Sequence, residues 1–222
     1  MFFNIFTKFT NLNTKLINKM KKTIILTAIA FTTVLTTFGG NTLHTDVYKV
    51  DAKQSTLKWY GEKLTGKHNG TILFSSGELN NDHGSFSGTF EINMASIEDK
   101  DMEAGEWKTK LENHLKSEDF FDVVKYPTSK FIIKSVTPIK DKKDGEFTHN
   151  VKGTLTIKDK TNDISFDATI KIQDNKVSCV GSAIVDRSKY DVKYGSKSFF
   201  PAIGDKMIYD EFTLKFNIVF VK

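Results

Sequence analysis

From residue 211 to the C-terminus the chain alternates strictly. Phe212, Leu214, Phe216, Ile218 and Phe220 fall on one parity, and Thr213, Lys215 and Asn217 on the other. A period of two is the signature of a strand with one buried face. The same alternation recurs along 46–222, and it restricts the fold more than any other feature. It predicts strands over 47–50, 55–60, 71–79, 85–92, 130–138, 148–158, 164–172, 177–186 and 211–221. The turn-forming cluster Asn80-Asn81-Asp82-His83-Gly84 predicts a hairpin between the third and fourth of these. Further hairpins are expected across 159–163 and at Asp174-Asn175.

Between residues 96 and 126 the period changes. Trp107, Leu111 and Leu115 recur every four residues, with Glu106, Lys108, Lys110, Glu112 and Lys116 between and around them. This predicts a short amphipathic helix ending before Phe120-Phe121, its three apolar residues covering one end of the β structure. Short strands with hairpin turns and one helix suggest an all-β closed barrel or a sandwich. A membrane barrel would also alternate. The charged turns at both ends, the helix in mid-chain and the final Lys222 argue against it.

The formal net charge of +5 first suggests a polyanion as partner. The distribution removes that reading. Residues 1–40 hold Lys8, Lys15, Lys19, Lys21 and Lys22 and no acid, so 27 basic residues face 27 acidic ones in 41–222. The charges of this body are interspersed, with no block that would track phosphates, and nucleic-acid binding is not expected. The leader has another meaning. Met20-Lys21-Lys22 precedes an uncharged stretch, 23–38, carrying Ile24, Ile25, Leu26, Ile29, Phe31, Val34 and Leu35. A basic start followed by a short apolar run is the layout of a secretory signal. Residues 1–40 are therefore expected to be a signal peptide, with 1–19 a possible upstream extension and an uncleaved membrane anchor as the alternative, and 41–222 the working domain in the periplasm or outside the cell.

Chemistry-bearing motifs are scarce. The sequence has no G-x-S-x-G, no H-E-x-x-H and no phosphate-binding glycine loop. The histidines, at 44, 68, 83, 114 and 149, show no metal-ligand spacing, so neither a metal nor a cofactor is expected. Asp99 and Asp101 lie in a hydrophilic stretch and read as a solvated loop. Cys179, the single cysteine, permits no internal disulfide and reads as an inert buried thiol. No catalytic residue is assigned.

Several blocks carry a family resemblance. Trp59-Tyr60-Gly61 is followed by Thr65-Gly66-Lys67-His68-Asn69-Gly70. Next come His114-Leu115-Lys116-Ser117-Glu118-Asp119-Phe120-Phe121-Asp122-Val123 and Tyr126-Pro127 up to Phe131. Gly153-Thr154-Leu155-Thr156-Ile157-Lys158, Asp186-Arg187-Ser188, Tyr194-Gly195 and Ile203-Gly204-Asp205 complete the series. In this order, over about 46–221, they resemble the YceI-like family. Asp159 departs from it, standing where the family usually has glycine.

The resemblance implies an extended, eight-stranded antiparallel lipocalin-like β-barrel. It implies a non-enzymatic protein that holds a long apolar ligand, such as a polyisoprenoid, an isoprenoid quinone or a fatty amide, for transport or storage in the cell envelope. It leaves room for peripheral contact with envelope membranes and for a homodimer. The alternatives are an accessory enzyme or redox partner of a quinone or lipid, with His68 or Cys179 as its reactive group, and an interaction module with a closed lumen.

On this reading the candidate lumen residues are Trp59, Phe74, Phe131, Gly181 and Ala183. Ser178, Cys179, Gly181, Ser182 and Ala183 form a run of small residues that either leaves lumen space or makes way for a bulky neighbour such as Trp59 or Phe166. The adjacent pairs Phe120-Phe121 and Phe199-Phe200 either gate the mouth or pack the barrel end. His68, in a polar turn between Gly66 and Gly70, either meets a ligand head group or caps the turn. Asp186-Arg187 is a charge pair, read as a structural latch or a head-group contact.

Overall fold

The computed structural model describes residues 45–222. The predicted signal peptide therefore lies outside the described residues. Among these are nine strands, β1 (Asp46–Val50), β2 (Thr56–Lys63), β3 (Gly66–Asp82), β4 (Ser85–Asp99), β5 (Thr128–Pro138), β6 (His149–Ile157), β7 (Lys160–Gln173), β8 (Lys176–Asp186) and β9 (Glu211–Val221). One α-helix, α1 (Glu106–Lys116), interrupts them. All pairings are antiparallel between neighbours from β2 to β9, and β2 also pairs with β9, which closes a ring of eight staves. β1 adds no stave. It continues the line of β2 at the opposite end, between Glu78–Asn81 of β3 and Phe220–Val221 of β9. The fold is thus a closed barrel and not a sandwich.

Several strands run further than alternation alone suggests. β3 has 17 residues and β4 has 15. At about 3.3 Å per residue, β3 extends roughly 55 Å along its path. The stretch Gly66–Gly70, read as a polar turn, is strand: His68 pairs with Gly61 and Gly70 with Trp59. The β6–β7 hairpin is tighter than the loop expected at 159–163. Ile157 pairs with Lys160, and Lys158 takes the left-handed backbone (φ 55°) in place of a glycine at 159. The β3–β4 hairpin lies where the turn cluster places it. Asp82 pairs with Ser85, and both loop residues, His83 (φ 52°) and Gly84 (φ 90°), are left-handed, as a type I′ turn requires.

β4 carries an irregularity that matters for the site. Five residue steps from Asn93 to Glu98 match only two from Leu73 to Thr71 on β3. Ser96 braces the extra chain: its hydroxyl donates to Asn93 O and accepts from Leu73 N–H. The bulge carries the inward parity from Met94 to Ile97 and Asp99.

The two ends of the barrel differ. At one, Tyr48, Leu79, Phe86, Phe90, Val177 and Phe220 form a closed cluster. Phe90 meets Phe220 edge-on at 5.7 Å. At the other end Phe120, Leu155, Ile157, Val185, Tyr190 and Val192 cluster beneath loops and α1. The helix docks by its Glu112 carboxylate, which accepts the N–H of Asp99. Leu111 and Leu115 turn to the barrel interior. Trp107 does not join them, contrary to its place on the predicted stripe. It lies in the first turn, 72% exposed, with the Lys110 ammonium 4.7 Å from its ring centroid.

Candidate functional site

Inward residues of β2, β3, β4, β6 and β9 enclose a cavity of about 1040 Å³ in the half of the barrel capped by α1. Leu57 and Trp59, Ile72, Ile92 and Met94, Leu155 and Leu214 supply apolar wall from the strands. Leu115, Phe120 and Phe121 supply it from the helix and the segment behind it. Deeper lies a chamber of about 110 Å³, lined by Phe74, Phe131, Phe166, Cys179, Ala183 and Phe216 among other apolar side chains. Leu57, Ile92, Leu155 and Leu214 border both spaces. The polar groups on the larger cavity include His68, Glu62, Lys63, Glu118, Asp119 and Lys193, of both signs.

The predicted site residues sort by depth. Trp59, His68, Phe120, Phe121 and Phe200 line the larger cavity, and Phe74, Phe131 and Ala183 the deeper chamber. Gly181 and Phe199 line neither. Gly181 stands opposite Phe216, and a Cβ there would lie 2.8 Å from the ring of Phe216. Its small size makes way for that ring. Ser178 and Ser182 alternate with the buried Val177, Gly181 and Ala183 and so belong to the outer parity of β8. Phe199 is an exposed rim residue, with Lys193 Nζ 5.4 Å from its ring centroid.

Phe120 is packed at the barrel end. Its ring lies 4.9 Å from His114, 5.3 Å from Tyr194 and 5.9 Å from the Arg187 guanidinium. Phe200 stands half exposed at the cavity edge. His114 bridges α1 and the 194 loop through ring contacts, and its Nε2 lies 3.1 Å from Asp119 Oδ2.

Arg187 is a latch, but its partner is not Asp186. Asp186 caps the following turn by accepting from Ser188 N–H and Oγ–H. The guanidinium donates to the carbonyls of Tyr209, Val192, Tyr194 and Ile208. Its counter-charge is Asp210, 3.4 Å away. Burial pushes the Asp210 carboxyl up, but the Ser196 and Ser198 hydroxyls and the Arg187 charge together outweigh it and hold Asp210 below the usual aspartate value. Burial drives the Cys179 thiol up to about 12.

Asp99 corrects the reading of 99–101 as a solvated loop. It ends β4 on the inner face and is fully buried. Sequence reasoning stopped β4 at Ile92 and so also missed Met94 and Ile97. The usable signal was the three-residue step between them, where strict alternation breaks at the bulge.

The fold has solved counterparts. A Burkholderia cenocepacia structure, BcnA, superposes with a TM-score of 0.60 at 22% identity, covering 77% of this chain and 98% of that one. A polyisoprenoid binding domain from Saccharophagus degradans, implicated in plant cell wall breakdown, gives a TM-score of 0.52 at 13% identity, covering 78% and 97%. No curated protein matches the sequence. The family model for the YceI-like domain matches residues 48–220, nearly the whole barrel, and the chain belongs to that family.

Proposed function

We propose that this protein is a non-enzymatic carrier that encloses one long apolar chain, of polyisoprenoid or similar lipid type, within its barrel. The observation that carries this reading is the cavity of about 1040 Å³ with largely apolar walls, adjoining a wholly apolar deeper chamber. Its size stands at the top of the ~300–1,000 Å³ range usual for small-molecule sites. Each buried CH₂ contributes about 0.8 kcal/mol, so a five-carbon unit adds roughly 4 kcal/mol before ordering costs. A chain of a few such units then binds tightly with few polar contacts. The polyisoprenoid binding domain among the structural counterparts supports the ligand class. The leader at 1–40 supports export, and we place the carrier in the periplasm or outside the cell, moving or storing lipid between membranes. A redox role draws little support from Cys179, which faces the apolar chamber and whose thiol is pushed up to about 12 by desolvation.

The test is organic extraction and native mass spectrometry of protein purified from its own host. A mass increment matching one prenyl or acyl chain per barrel is expected. Repeated recovery of ligand-free protein that also fails to take up prenyl lipids from detergent would overturn the reading.

A further inference from the structure

Among the described residues, Asp99 is the only acidic side chain that is fully buried. It stands in the inward row Trp59–Gly70–Asp99, at the junction of β4 with the segment leading to α1. Its Oδ1 accepts the Met102 N–H at 2.9 Å. Its Oδ2, equally shielded from solvent, has no hydrogen-bond partner. A buried carboxylate oxygen without a partner calls for a cation or a donor.

What faces that oxygen is a set of further metal-binding atoms. His68 Nδ1 lies 3.8 Å from Asp99 Oδ2 and 3.1 Å from Asp101 Oδ2. Asp101 is fixed in turn, its Oδ1 accepting the Asn69 N–H at 2.6 Å. The three ligand atoms all lie within 4.8 Å of one another. Neither aspartate has a lysine or arginine ion partner among the described residues; Lys100 and Lys108 lie on Glu98 instead. Burial pushes the Asp99 carboxyl up, and the neighbouring Asp101 adds to it.

We infer that His68, Asp99 and Asp101 form a site for a divalent transition-metal cation, with Zn²⁺ the best match. One imidazole and two carboxylates are a zinc-type donor set, whereas Ca²⁺ and Mg²⁺ favour all-oxygen shells of six or more ligands. Two ligands about 2.0–2.1 Å from a tetrahedral zinc stand roughly 3.3 Å apart. The separations of 3.1 and 3.8 Å bracket that edge and need only small side-chain adjustments. The ion would give Asp99 Oδ2 its partner and tie β3 to the connection that carries α1. Three protein ligands leave a coordination position open. His68 also lines the lipid cavity, which sets the ion at the cavity wall. Sequence spacing could not reveal the set, because the β3–β4 pairing brings His68 to the two aspartates.

The test uses the whole protein, stripped with EDTA and titrated calorimetrically with zinc chloride in a non-chelating buffer, with thermal melts recorded in parallel. One site per chain, micromolar or tighter, and a raised melting temperature are expected. Asp99→Asn, nearly isosteric, and His68→Ala should each weaken zinc at least about tenfold, since loss of an outer partner alone costs 10–100-fold. Asp99→Asn without metal should melt no lower than wild type, because the buried charge is gone. Calcium chloride should bind far more weakly than zinc. Absence of saturable zinc binding would overturn the assignment. So would wild-type affinity in both variants, which would place the zinc elsewhere, for example at the exposed His83–Asp82 pair. The assay reads metal alone, so its result is independent of whether the barrel carries lipid.

Discussion

Arg187 is the single arginine of the sequence, and replacing it should cost more than any surface change. Its side chain is 4% exposed. Four hydrogen bonds leave it for the carbonyls of Val192, Tyr194, Ile208 and Tyr209, and Asp210 lies 3.4 Å away. Arg187→Met keeps the length and apolar stem but removes every donor. It strands four inward carbonyls and leaves Asp210 without its counter-charge. Breaking a buried pair from one side costs about 3–5 kcal/mol, and stranded acceptors act in the same direction. Against a total of roughly 5–15 kcal/mol for a domain, that is a large fraction. Arg187→Lys keeps the charge but offers three donors from one nitrogen, which cannot reach four carbonyls around a planar fork. We expect Arg187→Lys to lose about 2–3 kcal/mol and Arg187→Met about 3–5, read as a lower urea midpoint at an unchanged slope. The carbonyls belong to segments that line the cavity mouth at Tyr194, Ile208 and Tyr209, so prenyl-lipid uptake should weaken as well. An Arg187→Met protein within 1 kcal/mol of wild type, or an Arg187→Lys protein equal to it, would refute the latch.

Other expectations follow from the same geometry. Asp210 has a lowered folded-state pKa, so its contribution is present above the ordinary aspartate range and is lost as pH falls through the lowered value. The stability gap between wild type and Asp210→Asn, measured by urea unfolding, should therefore be constant from neutral pH down to about 5 and close below about 4. Gly70→Ala would put a Cβ 1.9 Å from Glu98 O and 2.7 Å from the Trp59 indole, so melting curves should show a loss of at least about 1–3 kcal/mol. Cys179, facing the deeper chamber inside the barrel and held protonated, should react with iodoacetamide at pH 8 far more slowly than a free thiol, while the urea-unfolded chain labels at once. Trp107→Ala should change stability by no more than about 0.5 kcal/mol, because the ring lies in solvent.

Much of the fold is legible because each barrel stave writes its own alternation. The Phe212–Phe220 series, the His83-Gly84 turn and the helical step from Leu111 to Leu115 are local signals that tertiary packing leaves intact. The misreadings fall where polar residues occupy strand. Gly66-Lys67-His68-Asn69-Gly70 has the composition of a turn, yet β2 pairs along it from Lys63 to Trp59. The same happens beyond Ile92, where the Ser96 bulge shifts the parity and hides the inward Ile97 and Asp99 behind an acidic stretch. Trp107 fails for another reason. Helical spacing gives the stripe but not where the covered end of the barrel stops.

The site was legible as a list of residue types and illegible as a space, and register explains the difference. Gly181 and Ala183 look alike in sequence, two small inward residues on one strand. Gly181 is paired with Phe216, whose ring fills the room that the glycine leaves. Ala183 is paired with Leu214, and both border the deeper chamber. One pairing step thus decides whether a small residue makes a cavity or pays for a large neighbour. The row across Gly70 works in the same way. Pairing sets Trp59 on one side and Asp99 on the other, and the missing side chain between them leaves room for the indole over Gly70. An Asp99 shifted by one residue would point out of the barrel and would meet neither His68 nor the cavity wall. The lumen and the His68–Asp99–Asp101 cluster are therefore products of strand pairing, and substitutions that disturb register at the Ser96 bulge should damage both together.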